Sequence, residues 1–330
     1  MHIYTPAEAS RALPIIDIGG ADASHIATAI HRACRETGFF YIVNHAVPAE
    51  LIADQFTWSE RFFALPIEEK MALAMHTSPS RVGYEPVGAQ VLDSQDDTAE
   101  KAPPDLKESF YCGVDLPENH PLLAKHWRGY GHNRWPASLP GFAEQTLALH
   151  RALQLAGDRV LSLLAQSLEL APGWFEPFYR DANASLRLIK YPPHPTAARA
   201  NQLGAGTHTD WGGVTLLAQD DVGGLEVQNV AGNWIAAPPI AGALVVNLGD
   251  LMARWTNGVY RSNFHRVRNN STARDRFSLA YFYGPRPDAV IAPIATCVSD
   301  DLPQRFEPCT ADDHMQEMFR RSYGYSPVAA

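Results

Sequence analysis

The stretch GTHTDWGGVTLLAQDDVGGLEVQN, residues 206–229, decides the fold class. Short apolar runs alternate in it with paired glycines. Val214–Gln219 and Leu225–Gln228 read as strands, and Gly212-Gly213 and Gly223-Gly224 read as the turns that separate them. The same texture continues on both sides. Leu186–Tyr191 precedes it; Trp234–Ala236, Ala243–Asn247, His265–Arg268 and Phe277–Tyr283 follow. Further turn signals stand at Ala231-Gly232-Asn233, Asn257-Gly258 and Asn269-Asn270. Many short strands, with no intervening helix long enough for a crossover, predict an antiparallel sandwich or jelly roll rather than a parallel sheet.

Upstream the pattern is mainly helical. Ala23 to Thr37 places Ile26, Ile30 and Ala33 on one face at helical spacing, between short strands at Pro14–Ile18 and Phe39–Val43. Pro48 opens a helix running to about Leu65, since proline suits a first turn. The longest helical pattern is Gly141 to Leu170. Residues from about Arg81 to Pro104 are rich in Gly, Pro, Asp and Gln and predict a long loop, and the tail from Ala311 to Tyr323 is helical again. The expected architecture is α+β, mainly β. A double-stranded β-helix (jelly-roll, cupin-like) core over 183–288 follows a helical N-terminal supporting region (1–180) and precedes a C-terminal extension with a helix (289–330).

Composition excludes several classes of function. Thirty-six acidic against 27 basic side chains give a formal charge of −9, which argues against a nucleic-acid partner. Repeats and low-complexity tracts are absent, and no apolar run nears the roughly 18 residues of a membrane span. The N-terminal residues do not read as a signal peptide. Cys34, Cys112, Cys297 and Cys309 lie far apart and make no metal-type pair, which suggests a reducing cytoplasm. No long apolar edge or heptad suggests assembly, so a monomer acting on a small-molecule substrate is expected.

The sharpest chemical feature is Thr207-His208-Thr209-Asp210, followed 55 positions after Asp210 by His265. In a strand, i and i+2 share a face, so His208 and Asp210 can present an imidazole and a carboxylate to one point. A His from a neighbouring strand completes two imidazoles and one carboxylate on one side of an ion. That set leaves vacant positions opposite and is the signature of Fe(II) oxygenases. Alone, an H-x-D marks a structural histidine more often than a ligand; what lies around it changes the reading.

PIIDI, GFFYIVNH, FFALPIEEK, KYPPHP, GTHTDWGGVTLLAQD, GGLEVQN, NLGDLMARWTNG, the HRV at His265 and the RFS at Arg276 occur in this order across roughly residues 14–290. In that combination the chain resembles the isopenicillin N synthase-like family of non-haem Fe(II)/2-oxoglutarate-dependent dioxygenases. The resemblance implies that His208, Asp210 and His265 ligate Fe(II), and that Arg276 and Ser278 bind a carboxylate of 2-oxoglutarate, with O2 as the oxidant. An arginine fork matches two carboxylate oxygens, and Ser278 at i+2 faces the same way. Tyr191 matches a position that in relatives can add a hydroxyl to this carboxylate site; a strand-end core aromatic is the equal alternative.

The resemblance also leaves open an oxidase that uses the same R-x-S pair for a peptide-like substrate and needs no 2-oxoglutarate. The tail RRSYGYSPVAA has no glutamine to match that oxidase's extra iron ligand. A non-enzymatic metal- or ligand-binding protein on the same fold is the remaining alternative. Trp211 and Phe110 are candidate pocket residues, whereas Asn247 and Asp250 are expected to shape a turn. The remaining histidines are expected to be mostly exposed. Ala46 stands where the family usually carries Gly.

Overall fold

The computed structural model describes residues 13–92, 103–195, 202–269, 271 and 273–323. Residues 93–102 of the expected loop and 324–330 of the tail lie outside the described residues.

The chain runs β1 (Ile15–Asp17), α1 (Ala23–Glu36), β2 (Phe39–Val43), α2 (Ala49–Phe63), α3 (Ile67–Met71), β3 (Gly83–Glu85) and β4 (Glu108–Cys112). A short pair, β5 (Val114–Asp115) and β6 (Tyr130–Gly131), leads to the long α4 (Phe142–Ser167) and to α5 (Glu176–Tyr179). The strand-rich half follows: β7 (Asn183–Tyr191), β8 (Ala205–His208), β9 (Val214–Gln219), β10 (Leu225–Gln228), β11 (Trp234–Ala236) and β12 (Leu244–Leu248). Helix α6 (Asp250–Trp255), β13 (His265–Val267), β14 (Arg276–Gly284) and α7 (Ala311–Tyr323) complete the elements used below.

Eight strands form one large sheet in the order β1-β2-β12-β9-β14-β7-β4-β3, and β11-β10-β13-β8 form a second. All pairings in the two sheets are antiparallel except the edge pair β1–β2, which is parallel. α1 occupies the connection between β1 and β2 and supplies that crossover, so the parallel pair follows from a helix already legible in the sequence.

Strand alternation divides the large sheet into two functional faces. On β14, Phe277, Leu279, Tyr281 and Tyr283 enter the main core, while Arg276, Ser278, Ala280 and Phe282 face the second sheet. β7 does the same, with Ala184, Leu186 and Leu188 on the core side and Arg187, Ile189 and Tyr191 on the other. The core side is covered by α1, α2 and α4, with Ile30, Phe62, Leu149, Leu153, Val160 and Leu164 all buried. Gly157 of α4 permits this contact: a Cβ there would lie 2.7 Å from the Tyr283 ring. Between the sheets a smaller apolar cluster joins Phe39, Ile189 and Val245 to Leu225, Val227 and Val267.

Three expectations are corrected. Phe110 faces the helices rather than a pocket, stacked among Phe62, Trp135 and Phe142. On β4 the face shared with Arg187 belongs to Ser109 and Tyr111, so Phe110 has the wrong parity. His45, His150 and His314 are buried rather than exposed. Burial pushes the His150 imidazole down to about 4, against a hydrogen bond with the Ala184 carbonyl, while its ring packs edge-on to Tyr281. The long helix ends at Ser167, a turn earlier than its apolar pattern suggests.

Candidate active site

Between the sheets lies a pocket of about 550 Å³, part of it open to solvent. Its floor is the large sheet and its roof is the small one. β8 and β13 pair so that His208 and His265 stand directly opposite each other, with ring centroids 4.2 Å apart. Asp210 follows two residues beyond His208, just past the end of β8, and its Oδ1 lies 3.7 Å from His265 Nε2. One ligand atom from each of the three lies within 4.8 Å of the others. Among the described residues this is the only such group of three.

The surroundings prepare these side chains to receive a cation. His208 Nδ1–H donates to the Gly206 carbonyl at 2.7 Å, which fixes the tautomer and leaves Nε2 with its lone pair free. Burial, followed by the neighbouring His265, pushes the His208 imidazole down to about 3, so it is neutral at physiological pH. Burial alone would raise the Asp210 carboxyl. The adjacent imidazoles, and hydrogen bonds from Asn247 Nδ2 (2.7 Å) and Thr215 Oγ1 (2.6 Å), outweigh it and hold the group below the ordinary carboxylate range. Both donors engage Oδ2, which leaves Oδ1 directed at the histidines.

Asn247 and Asp250 therefore do more than shape a turn. Asp250 donates its backbone N–H to the Asp210 carbonyl at 2.8 Å, and its carboxylate accepts from Thr209 Oγ1 at 2.9 Å. The carboxylate ligand is braced at side chain and backbone together. Trp211 does not line the pocket; its carbonyl bonds His314 Nε2 of α7 at 3.0 Å.

The second polar corner is at the opposite end of the floor. Arg276, fully buried, spends Nε on the Gly223 carbonyl and Nη2 on Gln219 Oε1. Its guanidinium lies over the ring of Tyr191, 4.7 Å from the centroid, with Tyr191 directly across the β14–β7 ladder. Tyr191 thus presents its aromatic face to Arg276. Two polar atoms in this corner have no partner: Arg276 Nη1 and Ser278 Oγ are both buried without a hydrogen bond. Buried donors left open in this way are costly, and a carboxylate would satisfy both. The donor sets of both corners fit Fe(II) and a dicarboxylic keto acid.

A two-imidazole, one-carboxylate group facing an open pocket with a buried arginine at its far end defines a non-haem metal oxygenase site. Comparison with known proteins gives the family. Residues 13–138 match the N-terminal region of the non-haem dioxygenases described from morphine synthesis, and residues 182–285 match the 2OG-Fe(II) oxygenase superfamily. A 2-oxoglutarate-Fe(II) type oxidoreductase of Emericella nidulans is 35% identical over 96% of this chain and 92% of its own length.

Among solved structures, a full-length Neurospora crassa protein in complex with alpha-KG and thymine superposes with a TM-score of 0.81 at 28% identity, covering 95% of this chain and 97% of that one. JOX2 in complex with 2OG, Fe and JA gives 0.77 at 30% identity, covering 98% and 89%. The chain belongs to the 2OG-Fe(II) oxygenase superfamily. It is an oxidoreductase that uses Fe(II), 2-oxoglutarate and O2, and the 2-oxoglutarate-independent oxidase alternative falls away.

Two further charged groups line the pocket, and of these Lys107 opens the segment Lys107–Tyr111, which resembles a family strand that approaches the active site, whereas Arg187 carries no sequence-based expectation. Lys107 and Arg187 are both buried there. The period-2 face that carries Tyr191 also carries Arg187, four residues earlier, so strand parity alone could have found it.

Proposed function

We propose that His208, Asp210 and His265 hold Fe(II), that Arg276 and Ser278 receive the distal carboxylate of 2-oxoglutarate with Tyr191 beside them, and that the enzyme oxidises a small organic molecule. The observation that carries this reading is the pair of orphaned buried donors, Arg276 Nη1 and Ser278 Oγ, in the same pocket as the triad. When bound, Fe(II) with 2-oxoglutarate and O2 supplies the oxidising power, the keto acid leaving as succinate and CO2. The chain's own residues do the rest. The triad would hold the ion by three side chains and leave room for further ligands, and the Gly206 carbonyl and Asn247 Nδ2 fix the orientation of His208 and Asp210. Arg276 would take the distal carboxylate and so decide which end of the cosubstrate faces the triad, and the apolar walls would exclude water. Hydroxylation is the default outcome, with desaturation and ring closure open to the same residues.

The two facing sheets support a double-stranded β-helix (jelly-roll) description of residues 183–288, to which the N-terminal region adds β1–β4 of the large sheet and the covering helices α1, α2 and α4, while α7 of the C-terminal extension bonds Trp211 through His314. The relatives solved with thymine and with JA support a small organic substrate. No helix among the described residues is long and apolar enough to cross a membrane. A monomer in the cytoplasm, without a nucleic-acid partner, is the working state. The test is anaerobic titration of the Fe(II)-loaded protein with 2-oxoglutarate, followed by visible absorption. A saturable band of the chelated keto acid is expected; iron bound at one equivalent with no band would overturn the cosubstrate site.

A further inference from the structure

One buried ion pair beside the pocket belongs neither to the metal ligands nor to the Arg276 end. Glu108 stands opposite Lys190, and Arg276 stands opposite Tyr191. Lys107, one residue before β4, therefore falls on the Arg276–Tyr191 row, on the other side of Tyr191 from Arg276. Its ammonium bonds Asp105 Oδ2, and both side chains are buried. Backbone bonds fix Asp105 in turn. Its N–H donates to the Gln90 carbonyl at 2.9 Å, and its carbonyl accepts from Gly88 N–H at 3.2 Å. Leu106 N–H, next in the chain, donates to the Leu203 carbonyl at 2.9 Å, which moors the segment to the chain entering β8.

From there Asp105 reaches β8 itself. β8 is an edge strand of the small sheet, and an edge leaves backbone groups without a ladder partner. At Gly206 both groups are taken. Asp105 Oδ1 accepts the Gly206 N–H at 3.0 Å, and the Gly206 carbonyl accepts from His208 Nδ1–H at 2.7 Å. A third direction is closed as well: a Cβ on Gly206 would lie 1.6 Å from the Leu92 carbonyl, so only glycine fits. Lys107 has a part in this. A carboxyl buried alone is driven to take up a proton. The ammonium opposes that and, by engaging Oδ2, leaves Oδ1 to accept. Asp210 is divided in the same way, with Oδ2 occupied and Oδ1 directed at the histidines. Buried ion pairs gain little stability over apolar packing of the same shape, so stability alone does not account for this one. A fixed acceptor for Gly206 does.

We propose that Asp105, paired with Lys107, is a positioning residue for the metal ligand His208 and acts through Gly206. The carboxylate fixes the Gly206 backbone, and the Gly206 carbonyl fixes the imidazole, so Nε2 is aimed before any ion arrives. This rests on the reading of the triad as the metal site.

The test titrates Co(II) alone, anaerobically and without keto acid, into the metal-free full chain while the visible d–d absorption is followed. Wild type should give a saturable band. Asp105→Asn with Lys107→Met removes both charges but keeps an amide oxygen for the Gly206 N–H. Asp105→Leu with Lys107→Met keeps the shape and removes the acceptor. The Asn/Met variant should hold its Kd and band shape near wild type, whereas the Leu/Met variant should bind about 10- to 100-fold more weakly with an altered band. A pair with a merely structural role would lower the unfolding midpoint and act on metal binding alike in both variants. Equal Kd and band shape in the two variants, whether both change or neither does, would overturn the proposal. If the Leu/Met variant does not fold, the amide signal of Gly206 in chain carrying isotope-labelled glycine decides. That signal should move in the Asn/Met variant and should move saturably when Zn(II) is added to wild type; indifference to either would overturn the link. Wild-type chain that takes up no Co(II) fails at the metal site itself, so the two failures are distinguishable.

Discussion

Replacing Arg276 by Ala separates cosubstrate binding from metal binding. The guanidinium bonds Gly223 and Gln219 and none of the triad or its braces, so the contacts of Asn247, Thr215 and Gly206 with the triad stay in place. The substitution removes the open Nη1 donor together with its charge. Losing one partner of a buried charge-assisted pair costs about 2–5 kcal/mol. That corresponds to a Kd for 2-oxoglutarate raised roughly 30- to 5,000-fold. Ser278→Ala removes one hydrogen bond to a charged group, about 1.5–3 kcal/mol, or roughly 10- to 150-fold. The two effects should order as Arg276 above Ser278. Arg276→Ala also strips partners from the Gly223 carbonyl and Gln219, so its thermal stability should drop while Ser278→Ala keeps its own. The assay is anaerobic titration of each Fe(II)-loaded variant, with iron measured separately. If Arg276→Ala binds one equivalent of iron and 2-oxoglutarate with unchanged Kd, the carboxylate is held elsewhere and the reasoning fails.

Four other outcomes are expected. His208→Ala and Asp210→Ala should lose stoichiometric Fe(II) binding by metal analysis, and full retention in either removes that residue from the ligand set. Asn247→Ala, which frees Asp210 Oδ2 from one of its two side-chain donors, should weaken Fe(II) affinity by about 10- to 100-fold with the fold intact by circular dichroism. The His150 imidazole is held near 4 in the folded chain against an ordinary value near 6.5, so the unfolded chain binds the proton first as pH falls. Stability should therefore be full above pH 6.5 and decline by on the order of 3 kcal/mol toward pH 4; His150→Phe should flatten that slope in denaturant titrations. Ala46 is exposed with φ 62°, a left-handed conformation that costs an ordinary residue about 1–2 kcal/mol. Ala46→Gly should relieve it at an entropic cost of about 0.5–1 kcal/mol, for a net gain of up to about 1 kcal/mol in the unfolding free energy from denaturant titration; a loss of stability would show that the strain is compensated locally.

Much of the architecture could be read locally because its signals are local. The paired glycines around Val214–Gln219 and Leu225–Gln228 end strands wherever the chain folds, and His208 and Asp210 sit close enough in sequence for their geometry to be argued without tertiary contacts. Arg276 and Ser278 share a face for the same reason. What escaped depended on which strands become neighbours. Asn247 reaches Asp210 because β12 lies beside β9, and no pattern within either strand specifies that pairing. Phe110 falls on the helix side because β4 joins the sheet through β7, and that pairing, which no pattern within β4 specifies, is what fixes its parity. His150 is buried by α4 packing on β14 through Tyr281, a contact 131 residues apart in sequence. Lys107 and Arg187 look like surface charges in a list of residues and become pocket groups only once β4 and β7 are adjacent.

The triad is carried by the small sheet and the loop after it, whereas Arg276 and Ser278 are carried by the large one. With Fe(II) and 2-oxoglutarate in the places proposed, the chelate works as a rivet driven through both layers. Without it, apolar contacts such as those of Val227, Ile235 and Val267 against Ile189 and Val245 hold the layers together. A ligand that binds only the folded state adds stability in step with its concentration, about 2.7 kcal/mol at a hundredfold excess over Kd. The supply of keto acid would then govern the lifetime of the enzyme as well as its rate, and a cell running low on it would lose the catalyst along with the turnover.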